Sequence, residues 1–225
     1  MQSRDRLIVA IDRSERDDIL RLAEALDGAA GFLKIGLQAF VANGPPIVRE
    51  LVARGVRVFL DLKIHDIPNT AKHAVEEAVS LGAAMVTVHA SGGDAMLRAC
   101  ASDAALILGV TVLTSLNDDD VRRIGFAATL RDSAVHLAGL AKENGLRGVV
   151  VSPHEIDAIR EAFSDLVIVT PGIRPEGSDA GDQRRTKTPA AAIAAGADYI
   201  VVGRPITEAS SPRDAALAIV DSLRR

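Results

Sequence analysis

Eight apolar, β-rich runs recur along the chain at intervals of about 25 to 30 residues, each followed by a stretch of helical character. The runs are Leu7–Asp12, Phe32–Gly36, Arg57–Lys63, Ala84–Ala90, Ala105–Thr114, Arg147–Ser152, Leu166–Gly172 and Tyr199–Arg204. Helices are expected over Ile19–Leu26, from Pro45 and Pro46 onward, and over Ala71–Leu81 and Ala95–Ala101. Further helices are expected after Asn117, and over Ser133–Asn144, Pro153–Ala162, Pro189–Ala195 and Ala215–Leu223. Prolines sit comfortably in a first helical turn and glycines such as Gly82 and Gly145 just past a last one. Eight strand–helix units are the arithmetic of a (β/α)8 TIM barrel, here one α/β domain over residues 1–225. An open doubly wound sheet is the alternative, but it usually places a glycine-rich loop after its first strand. Here that position reads IDRSERDD. The barrel is the expected fold.

A barrel needs side chains for both faces of its sheet, and this chain supplies aliphatic ones. It is 48% hydrophobic with no Trp, one Tyr and five Phe, so Ala, Val, Leu and Ile must fill the core. The formal net charge of −4 argues against a nucleic-acid binder held by phosphate contacts. Cys100 is the only cysteine, which excludes an internal disulfide and a Cys-rich metal site and fits a small buried helix residue. The apolar run near the N-terminus is too short and too quickly charged for a signal peptide. No apolar stretch reaches the ~20 residues that span a bilayer. A soluble, cytoplasmic protein is expected.

Within the third unit, FLDLKIHDIPNT (Phe59–Thr70) places Asp61, Lys63 and Asp66 at the end of an apolar strand. Residues two apart on a strand share a side, so Asp61 and Lys63 project together, with Asp66 already in the loop. Such charges are costly to desolvate unless they pair, and packing has no use for them. Barrel enzymes carry their chemistry at the C-terminal strand ends. Polar residues recur there: Asp12, Lys34, Asp61 with Lys63, His89, Thr114 with Ser115, Arg174, and Gly203 with Arg204. Each alone has a bland alternative: Asp12 as a helix cap, Lys34 snorkelling from an edge, His89 as a hydrogen-bonded framework residue. Together at corresponding ends they read as one site. Lys34, Asp61, Lys63 and Asp66 alternate in sign, which keeps each ammonium protonated and able to give a proton to a carbanion. TPGIRP (Thr170–Pro175) and VVGRPIT (Val201–Thr207) bring Arg174, Gly203 and Arg204 to the ends of strands 7 and 8, where barrels commonly bind phosphate. Gln183, in the long polar loop from Arg174 to Lys187, is placed to reach the same phosphate.

The stretch DLKIHDIPNT, with AID, KIG, VTVHASGG, LTS, TPGIRP, GDQRR…TP and VVGRPI in the same order, resembles the orotidine 5′-phosphate decarboxylase family from residue 7 to about 207. The chain is similar to the compact bacterial type. The resemblance implies a (β/α)8 barrel that converts orotidine 5′-phosphate to UMP without metal or organic cofactor, as a homodimer with composite active sites. By that resemblance Lys63 is the proton donor, and Asp61 and Lys34 complete the charged network. Asp66, Ile67 and Thr70 would cross to the partner subunit's site. Asp12 and Lys34, with Thr70, would bind ribose hydroxyls, and Thr114 with Ser115 would read the pyrimidine amide. Arg174, Gln183, Gly203 and Arg204 would hold the phosphate. A metal site is not expected, and the chain has no HExxH, EF-hand or GxGxxG pattern. The competing reading is an Mg2+-dependent sugar-phosphate decarboxylase or aldolase with the same D-x-K-x-x-D strand. IPNT after Asp66, and Gln183, fit a nucleotide better. A phosphate-binding barrel without chemistry would be marked by a broken charge network, and here all four charges are present.

Overall fold

A computed structural model of the chain describes residues 2–175 and 186–224. Its strands are β1 (Leu7–Ile11), β2 (Phe32–Gly36), β3 (Val58–Ile64), β4 (Met85–His89), β5 (Leu106–Val110), β6 (Gly148–Val150), β7 (Val167–Thr170) and β8 (Tyr199–Val202). They close into one barrel in sequence order, every neighbouring pair parallel and β8 returning to β1. The helices around it are α1 (Arg16–Ala25), α2 (Leu37–Asn43), α3 (Pro45–Ala53), α4 (Pro68–Ser80), α5 (Gly93–Cys100) and α6 (Asp118–Arg123). They continue as α7 (Leu130–Glu143), α8 (Ile156–Ala162), α9 (Pro189–Ala194), α10 (Arg204–Thr207) and α11 (Pro212–Ser222). The expected (β/α)8 barrel is the observed one.

Two apolar layers hold it together. Leu7, Val9 and Ile11 of β1 face outward into the large core beneath the helices. Ile8 and Ala10 alternate with them and face the barrel axis, where they meet Phe32, Phe59, Met85, Leu108 and Val169. Both faces are therefore apolar, which is why the strands read as continuous hydrophobic runs rather than alternating ones. Phe59 is almost wholly buried in the inner layer, a burial that contributes about 1.5–3 kcal/mol for a side chain of that size.

The inner layer also explains where polarity enters. Period two carries Phe32 to Lys34, Phe59 to Asp61 and Met85 to Thr87, one layer nearer the C-terminal strand ends. The lower axis is filled with hydrocarbon; the layer above it holds ammoniums, a carboxylate and a hydroxyl.

The structure departs from the sequence reading in several places. β5 stops at Val110, so Thr111–Thr114 form loop rather than strand, although the Thr111 N–H still donates to the Val150 carbonyl (3.2 Å). β8 stops at Val202, and Arg204 opens the short helix α10 instead of ending the strand, with Pro205 pre-setting its first turn. The run Leu37–Asn43, for which the sequence pattern predicts no element, is α2; Gly44 ends it at φ 65°, a conformation that glycine tolerates. The expected helix after Asn117 is α6. The Asn117 side chain accepts from the Asp120 N–H (3.0 Å), and the Asp120 carboxylate accepts from the Asn117 N–H (3.2 Å). Cys100 packs at the end of α5, and burial pushes its thiol up to about 11, so it serves as a small apolar residue. Among the described residues no helix is long and apolar enough to cross a membrane.

Candidate active site

β3 is not a regular strand at the point where it carries its charges. Against β4 it pairs Phe59 with Met85 and Leu60 with Val86, then Ile64 with Val88. Four steps on β3 match two on β4, so the chain bulges between Leu60 and Ile64. Within the bulge Lys63 adopts φ 50°, the one positive-φ residue other than glycine among those described. Left-handed backbone of this kind costs of order 1–3 kcal/mol for a non-glycine residue and persists only where the surroundings enforce it. The consequence is local. Lys63 leaves strand geometry, yet its ammonium turns back onto Asp61 and donates to both carboxylate oxygens at 2.9 Å.

Asp61 is the centre of the constellation, 8% exposed. Besides Lys63 it accepts a hydrogen bond from the Thr87 hydroxyl (2.9 Å) and faces the Lys34 ammonium at 3.4 Å. Burial alone would raise its pKa. The Lys34 and Lys63 ammoniums, with the hydrogen bonds from Lys63 and Thr87, outweigh that and hold the carboxyl below its ordinary value. Lys34 reaches on to Asp12 at 3.6 Å, just past the end of β1. The order Asp12–Lys34–Asp61–Lys63 alternates in sign across three adjacent strands. Gly36 makes room for it: a Cβ there would stand 2.9 Å from the Lys34 Nζ and 3.4 Å from the Asp12 carboxylate.

These charges line one side of a cavity of about 470 Å³ at the C-terminal mouth of the barrel. Thr114, Gly172, Arg174, Gly203 and Arg204 line the other sides. Gly172 takes φ 77°, which lets the chain turn sharply after β7. The backbone N–H of Arg174 donates to the Lys187 carbonyl (3.1 Å), joining the two sides of the loop that contains Gln183. Gln183 itself lies outside the described residues.

Four expected site residues are not part of this cavity wall within one chain. Asp66 is exposed and accepts from the Ile67 N–H (2.7 Å). Ile67, 68% exposed, precedes α4, and Thr70 is exposed in its first turn. Ser115 is exposed next to the lining Thr114. Sequence reading also passed over Thr87, which is fully buried on β4. Its signal was its parity: it lies between Met85 and His89 on the inward series, a hydroxyl where a valine would be ordinary. His89 follows it at the end of β4, its ring 5.3 Å from that of His65. Burial, then the nearby His65 and Lys63, depress the His89 pKa, which keeps the imidazole neutral and fits a framework role. Among the described residues no group of His, Cys, Asp and Glu could hold a metal ion.

The similarity to known proteins extends over nearly the whole chain. The family model described as orotidine 5′-phosphate decarboxylase / HUMPS family matches residues 5–219. The orotidine 5′-phosphate decarboxylase of Escherichia coli is 47% identical over 227 residues, covering 97% of this chain and 93% of that protein. That of Vibrio campbellii is 46% identical over 226 residues, covering 97% of each. Among solved structures, orotidine 5′-phosphate decarboxylase from Lactobacillus acidophilus superposes with a TM-score of 0.87 at 34% identity, covering 97% of this chain and 99% of that one. The enzyme from Pyrococcus horikoshii gives 0.80 at 28% identity, with coverage of 97% and 99%.

Proposed function

The chain belongs to the orotidine 5′-phosphate decarboxylase / HUMPS family, and we propose that it converts orotidine 5′-phosphate to UMP and CO2. The observation that carries this reading is a buried carboxylate, Asp61, held between two ammoniums at the wall of a cavity that also carries Arg174 and Arg204.

In the proposed reaction the pyrimidine C6–carboxylate bond breaks heterolytically, CO2 departs, and the electron pair stays on C6. The Lys63 ammonium stabilises that developing charge and then gives its proton to C6; solvent returns a proton to the amine. Asp61 does not donate. It fixes the Lys63 ammonium by two hydrogen bonds and presents negative charge to the departing carboxylate. Lys34 and Asp12 are assigned to ribose hydroxyls and Thr114 with Ser115 to the pyrimidine amide. Arg174, Gln183, Gly203 and Arg204 are assigned to the phosphate. Support comes from the position of Asp12, Lys34, Thr114, Arg174, Gly203 and Arg204 around one mouth, and no step calls on a metal. The relatives named above are orotidine 5′-phosphate decarboxylases, and none of them is named as a sugar-phosphate enzyme.

The phosphate assignment has its own test. Binding energy from a remote phosphate acts in the transition state as well as in the ground state. Arg204→Ala is expected to raise KM and lower kcat/KM by roughly 10- to 150-fold, the scale of a charged hydrogen bond of about 1.5–3 kcal/mol. Unchanged steady-state kinetics would remove Arg204 from the phosphate site.

The enzyme is further proposed to be a cytoplasmic homodimer in which Asp66, Ile67 and Thr70 complete the partner's site. Their exposure at the start of α4, away from their own chain's cavity wall, supports this. Light scattering of active enzyme should give twice the chain mass; activity from a strict monomer would contradict the composite site.

A further inference from the structure

Resting on the decarboxylase reading above, we propose that Thr87 is a positioning residue for the reaction, holding both the backbone of Lys63 and the carboxylate of Asp61. The bulge in β3 deprives the Lys63 N–H of a regular ladder partner on β4. That N–H donates instead to the Thr87 hydroxyl oxygen at 2.9 Å. Because the oxygen is accepting there, its hydrogen is free to point at Asp61, whose Oδ1 is also 2.9 Å away. Asp61 in turn accepts from the Lys63 ammonium, again at 2.9 Å. The result is a closed ring: Lys63 N–H to Thr87, Thr87 O–H to Asp61, and Lys63 ammonium to Asp61.

Thr87 is fully buried, so its hydroxyl makes its two bonds of the ring away from solvent. The ring accounts for two features that would otherwise stand apart. One is the left-handed conformation of Lys63, which lacks the freedom of a glycine and needs an external tie. The other is the single orientation of Asp61, in which both oxygens meet the Lys63 ammonium while one also faces Lys34. Thr87 touches no reacting atom. It acts through Lys63 and Asp61, and what it sets is where the donor proton stands.

The experiment compares Thr87→Val, which keeps shape and loses the hydroxyl, with Thr87→Ser, which keeps the hydroxyl and loses a methyl. Displacement of a reacting group by about 1 Å costs up to about 100-fold, so Thr87→Val is expected to lower kcat by roughly 10- to 100-fold with KM little changed. Thr87→Ser should keep kcat within about threefold of wild type, since the ring survives. A second readout needs no substrate: amide hydrogen exchange at Lys63 should quicken about fivefold or more in the valine variant, as befits loss of a hydrogen bond worth about 1 kcal/mol, and not in the serine variant. Should the valine variant fail to fold, Thr87→Ala set against Thr87→Ser repeats the hydroxyl contrast. Equal losses in the hydroxyl-bearing and hydroxyl-free variants would make Thr87 a packing residue and overturn the proposal. So would unaltered Lys63 exchange in the valine variant. A wild type inert towards orotidine 5′-phosphate, with the exchange difference intact, would sink the substrate reading and leave the ring standing.

Discussion

Lys63→Ala is expected to lower turnover of orotidine 5′-phosphate by at least roughly a thousandfold while leaving a folded barrel. Loss of a positioned general acid costs about 10²- to 10⁴-fold, and the same ammonium also supplies electrostatic stabilisation of the developing carbanion. Folding has less at stake. The Lys63 side chain is 31% exposed, so its removal opens no sealed cavity. Asp61 retains the Thr87 hydroxyl and the Lys34 ammonium as partners. Alanine at φ 50° keeps the existing backbone cost without adding to it. Steady-state assay beside circular dichroism checks both halves. A variant that folds and keeps more than a small fraction of the wild-type rate would place the proton donor elsewhere.

Asp61→Asn is expected to damage both catalysis and stability. Asparagine cannot neutralise two ammoniums, so Lys34 and Lys63, 13% and 31% exposed, lose their shared counter-charge. Breaking a buried pair from one side costs roughly 3–5 kcal/mol, and the partial exposure of Lys63 puts this case at the lower end. For a chain of this size that is a fall in Tm of roughly 6–12 °C. Turnover should fall by at least about a hundredfold, because the donor is no longer held in place. The stability deficit also has a pH signature. The Asp61 carboxyl is held below its ordinary value of 3.8 in the folded state. Its contribution is therefore complete above that value and is lost as pH falls through the lower, folded-state one. The gap in Tm between wild type and variant should be full at neutral pH and shrink in acid below about 3.8. A gap that widened in acid would mean that Asp61 is not ionised and paired in the native protein.

Much of this could be read from the sequence because the relevant physics is periodic. Eight strand–helix repeats announced the barrel, and period two along β3 pairs Asp61 with Lys63, a contact the structure keeps although the Lys63 ammonium reaches it by turning back from a bulge. The same period places Thr87 above Met85, although sequence reading took β4 only for its His89. What stayed hidden is aperiodic. The bulge between Leu60 and Ile64 carries no glycine to announce it, and Lys63 is held at positive φ by a contact from another strand. No local rule reports a tie across twenty-four residues. α2 was missed because its end signal, Gly44, stands directly before Pro45 and Pro46, which announce the next helix instead. Arg204 was read as strand because VVGR continues an apolar run, whereas Pro205 in fact commits it to a helical turn.

The most direct test of the central claim is the loss of orotidine 5′-phosphate absorbance when the wild-type enzyme is mixed with the substrate in EDTA. A buried carboxylate between two lysines, acting with no metal in any step, predicts full conversion to UMP and CO2 under those conditions. No conversion of the nucleotide in EDTA, with turnover of a sugar phosphate once Mg2+ is added, would contradict it.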